Sequence, residues 1–206
     1  MILFCRTGAA EHRHGGLSQF IVDLNTPGVE VRPIRILSGD FHFNEVVFRD
    51  VFLPTSQLVG SEGDGWKQVT SELAFERSGP ERFLSSFPLF AALVHELGGG
   101  NDLAAQEIGQ VVAELTLLRQ LSRSVAGALD RGEEPALEAS VVKDVGTALE
   151  QRIPEIVRKL LPMERYVGTE FGLAFACTQA HAPSFSIRGG TREILRGIIA
   201  RGLGLR

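Results

Sequence analysis

Cysteine is nearly missing from this sequence: Cys5 and Cys177 are the only two among 206 residues. Two are too few for a disulfide framework, and neither sits in a CxxC pair. Both therefore read as reduced thiols, used as small buried hydrophobes in a cytosolic protein. No apolar run approaches the ~20 residues that span a bilayer. The opening MILFCRTG has an apolar stretch too short for a signal-peptide core and no cationic region before it. These absences give an expectation of a cytoplasmic chain without a membrane partner. Clustered positive charge is also lacking. The formal net charge is −4 and the basic residues are scattered, which argues against a nucleic-acid groove. Metal-ligand spacing is absent as well. His12 and His14 flank Arg13 in an expected hairpin loop with no Cys or carboxylate at ligand spacing, and His42, His95 and His181 stand alone; no metal site is expected. The stretch GSEGDGWK (60–67) is not a phosphate loop, because Trp66 separates the last glycine from Lys67. It reads as a glycine-rich turn feeding a helix.

What the chain does have is a soluble composition, 44% hydrophobic and 22% charged, enough apolar material for a real core. Up to about Ser56 the text is strand-like. MILFCRT, LSQFIVDL, VEVRPIRIL and HFNEVVFRDVFLP are rich in Val, Ile and Phe and are separated by Gly15-Gly16, Pro27-Gly28 and Ser38-Gly39-Asp40. Four strands at antiparallel spacing follow. The first begins at residue 2 without a lead-in, so further sheet is expected upstream or from another chain. From Gly65 the period becomes helical. A helix through LAFER should break at Pro80, with a second interruption at Pro88. After Gly98–Asn101, the residues Ile108, Val111, Val112, Leu115, Leu118, Leu121, Val125 and Leu129 make one apolar stripe. Another helix runs from about Ala136 through Val141, Val145, Ala148 and Leu149 and is interrupted by Pro154. One more covers roughly 163–180, and a short one follows Thr191. The expected class is α+β, mainly α: a partial antiparallel β-domain over 1–58, then an up-and-down helical bundle over 59–206.

Two stretches carry candidate chemistry. In LAFERSGPERF (73–83), Glu76 follows Leu73, Ala74 and Phe75 and precedes the Ser78-Gly79-Pro80 break. A carboxylate in apolar surroundings is raised in pKa and can serve as a base near neutrality; the alternative is a surface Glu paired with Arg77 or another nearby Arg. In RGGTREI (188–194), Gly189 and Gly190 precede Thr191 at a helix N-cap, with Glu193 in the first turn. Glycines allow close backbone approach, and free N–H groups at a helix start favour anions; the alternative is a capped turn that binds nothing.

Taken together, these segments resemble the acyl-CoA dehydrogenase family. FIVDLNTPGVEVRPI resembles its middle β-domain. FNEVVFRDVFLPTSQLVGSEGDGWKQVTSELAFER resembles the passage into its C-terminal helical domain, and IRGGTREILRGIIARGLGLR its C-terminal signature. The resemblance covers the whole chain but only about the C-terminal half of a typical member. It implies FAD-dependent α,β-dehydrogenation of acyl-CoA thioesters. Many members carry a base Glu immediately before the Gly-Thr of the signature; here that position is Gly189. Another branch, including isovaleryl- and long-chain-type enzymes, supplies the Glu from the helix that here reads LAFER. The resemblance therefore makes Glu76 the α-proton-abstracting base, followed by the family's Arg at Arg77 as a substrate-side residue. It makes the backbone N–H of Gly189 a donor to the thioester oxygen, and lays Gly190, Thr191 and Glu193 along the FAD. The family's Arg-x-x-Phe-Gly motif reads GGGND here (98–102), and its Gln-x-x-Gly-Gly motif is not recognisable near 163–169. Those departures, with the half length, imply a homo- or hetero-oligomer in which related subunits share flavin sites and an electron acceptor is served. The alternative reading is a truncated or non-catalytic subunit, inactive by itself and acting as a helical interaction module.

Overall fold

A computed structural model of the protein describes residues 1–9, 14–99 and 101–205; His12, Arg13 and Gly100 lie outside the described residues. The chain divides into two compact units, 1–72 and 73–206. In the first, β1 (Ile2–Arg6) pairs antiparallel with β2 (Leu17–Ile21), and β3 (Val29–Ile34) pairs antiparallel with β4 (Phe43–Phe48). The four expected strands are present, arranged as two hairpin sheets. Registers run Ile2 to Ile21 and Val29 to Phe48. The hydroxyl of the buried Ser18 accepts the Gly63 N–H at 2.9 Å, so the glycine-rich 60–65 turn folds onto β2. A Cβ on Gly65 would lie 2.8 Å from the Leu17 carbonyl oxygen. The glycines are there for close backbone approach and for a turn into a helix, as read from the sequence. His14 stacks on Trp66, ring centroids 4.0 Å apart.

The helix α1 (Gly65–Ser78) begins in the first unit and ends in the second, stopping where Pro80 requires. A single 3-10 turn, Pro80–Arg82, follows, and then α2 (Phe87–Leu97). Pro88 does not interrupt a helix; it lies in the first turn of α2, where a missing N–H costs nothing. Next come α3 (Asp102–Asp130), α4 (Ala136–Leu160), α5 (Glu170–Phe185) and α6 (Arg192–Gly202). Within the α3 stripe, Val111, Leu118 and Val125 are the fully buried line, while Val112 faces outward. Asn101 caps this helix, its side chain accepting the Ala104 N–H at 3.0 Å.

Two expectations are corrected here. The segment expected as a helix over 163–180 is instead a 3-10 turn at Met163–Arg165 followed by α5, which starts at a Thr169 cap and runs on to Phe185. And Pro154 does not interrupt α4. A proline at 154 cannot donate to the carbonyl of Glu150 four residues earlier. That carbonyl accepts the Ser86 hydroxyl instead, at 2.9 Å. The lost helical bond is replaced from the residue just before α2, and the helix continues through the proline.

The packing gives α4 the central place in the second unit: it lies against α2, α3, α5 and α6. Its buried residues include Ala139, Val142, Gly146, Leu149, Ile153 and Val157; of the expected Val141, Val145, Ala148 and Leu149, Leu149 is fully buried and the other three are half-buried. The buried face also carries Lys143, Thr147 and Glu150, all fully buried.

Candidate functional site

The C-terminal turn of α1 and the loop before α6 meet in the second unit. Glu76 and Arg77 come from the first, Gly189 and Gly190 from the second, 112 residues further along the chain. The Arg77 Nε–H donates to the Gly189 carbonyl at 2.8 Å. A Cβ at Gly189 would stand 3.3 Å from Glu76 Oε1, and one at Gly190 would stand 3.3 Å from Arg77 Nη2. Both glycines have positive φ, +64° and +109°, so the loop bends tightly over these two side chains. Glycine at 189 leaves the Glu76 carboxylate uncovered by a side chain from the loop. No hydrogen bond to the Gly189 N–H is formed among the described residues.

Glu76 is not enclosed by the apolar residues that precede it. Its side chain is 42% exposed, and its Oε1 accepts from Arg82 Nη2 at 2.6 Å. Arg82 also donates from Nε to the Glu76 carbonyl at 2.8 Å. Only Oε1 of this half-exposed carboxylate is hydrogen-bonded among the described residues; Oε2 makes no such bond there. Arg82 is nearly buried, and its own carbonyl passes so close to α4 that a Cβ at Gly146 would lie 2.5 Å from it. The sequence reading missed Arg82. Its signal was the second Arg of ERSGPER, brought back to Glu76 by the Gly79-Pro80 reversal. Burial holds the Arg77 guanidinium below its ordinary range, an effect the neighbouring Glu76 charge partly offsets.

Beyond the loop, Thr191 is the N-cap residue of α6, but its side chain makes no capping bond. The Glu193 carboxylate lies beside its own backbone N–H and the Thr191 hydroxyl, which, in that order, hold its pKa below the usual carboxylate range. The start of α6 thus already holds a negative charge among its N–H groups. Asp144 of α4 secures this helix through Arg192 at 3.0 Å and Arg196 at 3.3 Å. Of the sequence-predicted residues, Glu76, Arg77, Gly189 and Gly190 form one cluster; Thr191 and Glu193 form a pair at its edge. His95 is exposed on α2. Among the described residues no helix is long and apolar enough to cross a membrane.

Comparison with known proteins gives a consistent result. Residues 97–204 match the family model described as acyl-CoA dehydrogenase, C-terminal domain. The acyl-CoA dehydrogenase FadE34 of Mycobacterium tuberculosis is 31% identical over 98% of this chain and 28% of its own length. IpdE1 of Mycolicibacterium smegmatis, also an acyl-CoA dehydrogenase, is 34% identical over 97% of this chain and 52% of its own. The solved acyl-CoA dehydrogenase of Geobacillus kaustophilus superposes with a TM-score of 0.85 at 22% identity, over 98% of this chain and 56% of that one. At that identity the superposition speaks for the fold. The chain spans between about a quarter and about a half of the length of these curated relatives.

Proposed function

We propose that this chain, which belongs to the acyl-CoA dehydrogenase family, forms the base-bearing wall of a site for FAD-dependent α,β-dehydrogenation of acyl-CoA thioesters. The observation that carries the reading is the meeting of the Glu76 carboxylate with the side-chain-free Gly189. Glu76 removes the α-proton of the acyl group onto Oε2, the oxygen that Arg82 does not use. Arg82, held through both Nε and Nη2, fixes the direction of that carboxylate. As the proton leaves, negative charge grows on the thioester oxygen, and the unengaged Gly189 N–H supplies a donor to it. Arg77 fixes that donor's peptide through its bond to the Gly189 carbonyl and so acts on the substrate side by holding the loop.

The residues at the edge of the cluster fit part of a flavin nucleotide. Gly189 and Gly190 form a cradle that a Cβ would fill, and Gly190, Thr191 and Glu193 would hold the cofactor there. Because Glu193 places a carboxylate at the start of α6, this edge suits hydroxyl and N–H groups better than phosphate. Bound FAD supplies the two-electron oxidant for the β-carbon. The remaining contacts come from related subunits in a homo- or hetero-oligomer, which passes electrons to an external acceptor.

A second reading has its own support. The charge-assisted bond from the nearly buried Arg82 ties down the carboxylate that should act as base. In that reading the chain is a non-catalytic subunit serving as a helical interaction module. One experiment separates the two. The chain, purified alone and then with related subunits, is examined for a flavin absorbance spectrum, and acyl-CoA is added to any coloured assembly. Bleaching that disappears in Glu76→Gln supports the base. Colour with undiminished bleaching in the variant removes Glu76 from the reaction, and a colourless assembly removes the cofactor.

A further inference from the structure

Glu76 and Gly189 belong to different parts of the chain, and one direct bond, from Arg77 Nε–H to the Gly189 carbonyl, spans the gap between them. Both segments are attached to one buried group. Glu150 on α4 is fully buried. Its Oε1 accepts the backbone N–H of Ser85 at 2.7 Å, three residues after Arg82. Its Oε2 accepts from Arg188 Nη2 at 3.0 Å, one residue before Gly189. The Arg188 guanidinium also donates to the Ser85 hydroxyl at 3.2 Å and lies over the Phe185 ring, 4.6 Å from its centroid. Two turns earlier on α4, the buried Lys143 donates to the Phe185 carbonyl at 2.7 Å. One carboxylate therefore joins the segment holding Arg82, which grips the base, to the segment carrying the backbone donor.

We infer that Glu150 is a positioning residue: together with the Arg77–Gly189 bond it sets the distance between the Glu76 carboxylate and the Gly189 peptide, by fastening Ser85 to its Oε1 and Arg188 to its Oε2. The inference rests on the reading of Glu76 and Gly189 as base and donor. A bidentate carboxylate held without exposure has one geometry available, whereas a surface pair has many. Reacting groups misplaced by ~1 Å lose on the order of 100-fold in rate, so the tie matters for the chemistry as well as for the fold.

The test uses the full chain and two independent readouts. Glu150→Gln keeps the volume but puts an amide N–H₂ where one carboxylate oxygen now accepts. Hydrogen exchange is followed without flavin or substrate. Amides of 186–191 and 82–86 should exchange about tenfold faster or more, while those of 111–125 keep their protection. In a flavin-loaded assembly, acyl-CoA should bleach the flavin about 10- to 100-fold more slowly at saturation, with KM changed less than about threefold. Glu150→Asp, which restores the charge on a shorter stem, should recover part of both effects, and it stands in if the glutamine variant does not fold. Unchanged exchange at 186–191, or an even rise across the whole bundle, overturns the inference whether or not the chain binds flavin. Local loosening with an unchanged bleaching rate overturns it too. If Glu76→Gln bleaches normally while Glu150→Gln still loosens 186–191, the base reading has failed and the tie between the two segments has not.

Discussion

Two arginine–carboxylate pairs stand near each other in the helical unit, with the same chemistry and opposite surroundings. Arg82–Glu76 presents a carboxylate that is 42% exposed and hydrogen-bonded through Oε1; Arg188–Glu150 encloses a carboxylate with no exposure and both oxygens engaged. The first has a free oxygen that can take a proton from a ligand. The second can only hold things in place. A pair can thus be read as reactive or structural from its unsatisfied valence and its access to water, before any family is invoked.

The largest expected effect tests the exposed pair. Glu76→Gln, in a flavin-loaded assembly, should lower the rate of acyl-CoA bleaching by about 10²- to 10⁴-fold, the usual scale for loss of a positioned base. Its stability should fall by about 1–2 kcal/mol, since the glutamine keeps an acceptor for the nearly buried Arg82 but removes its counter-charge. Stopped-flow bleaching and chemical denaturation measure the two quantities. A variant that loses stability and keeps its rate would reverse the roles assigned to the two pairs.

The next test breaks each pair from its arginine side. Arg188→Met leaves the Glu150 charge buried without its counter-ion and should cost about 3–5 kcal/mol. Arg82→Met leaves Glu76 to be rehydrated and should cost only about 1 kcal/mol. Urea denaturation of the two variants gives the difference directly. Equal losses would mean that exposure does not separate the pairs.

The same contrast explains how far the sequence could be read. Helices, the break at Pro80 and the Gly-Gly-Thr turn were legible because each depends on local periodicity or on a residue with one backbone preference. Glu76 and the Gly189-Gly190 turn each stood out in their local pattern, but the link between them came through resemblance, since 112 residues separate them and no local pattern joins them. Arg82 was missed because a chain reversal brings it back to Glu76. Glu150 and Lys143 were missed because helical periodicity assigns charged residues to the solvent face, whereas α4 is covered on several sides. Their partners (Ser85, Arg188, the Phe185 carbonyl) come from the α1–α2 connection and the end of α5. Pro154 misled for a related reason: local rules end a helix there, and the Ser86 hydroxyl that rescues the Glu150 carbonyl is a tertiary partner. Two charged residues seven apart, Lys143 and Glu150, on the stripe that also carries Val142, Leu149 and Ile153 were the available signal.

A smaller effect separates rigid from flexible neighbours of the site. At Gly146 an added Cβ meets the Arg82 carbonyl at 2.5 Å and the Phe83 Cβ at 3.0 Å, neither of which can swing aside. Gly146→Ala should cost about 2–3 kcal/mol by overpacking and should displace the Arg82 grip. At Gly189 the nearest atom is Glu76 Oε1 at 3.3 Å, a side-chain end that needs to give by only a few tenths of an ångström, so Gly189→Ala should cost mainly the ~1–2 kcal/mol of its left-handed backbone. Thermal unfolding of the two variants tests the ranking, and a larger loss at Gly189 would contradict it.

The smallest effect is a pH dependence from the buried side of the comparison. Burial, reinforced by the Arg188 and Arg82 charges, lowers the Lys143 ammonium from 10.5 to about 8, with Glu150 and Asp144 opposing the shift. Below about pH 8 the lysine is protonated in both folded and unfolded chains and contributes no slope. Between about 8 and 10.5 the unfolded chain binds more protons than the folded one, so stability from this group rises with pH. The slope cannot exceed about 1.4 kcal/mol per pH unit, and it belongs to Lys143 alone if Lys143→Met removes it. Denaturation midpoints of the two proteins, taken from pH 7 to 9.5, should run parallel up to about pH 8 and then diverge in favour of the wild type. Curves that stay parallel throughout would show that Lys143 reaches water when the helices breathe, and that the interior of α4 is less closed than the Glu150–Arg188 pair requires.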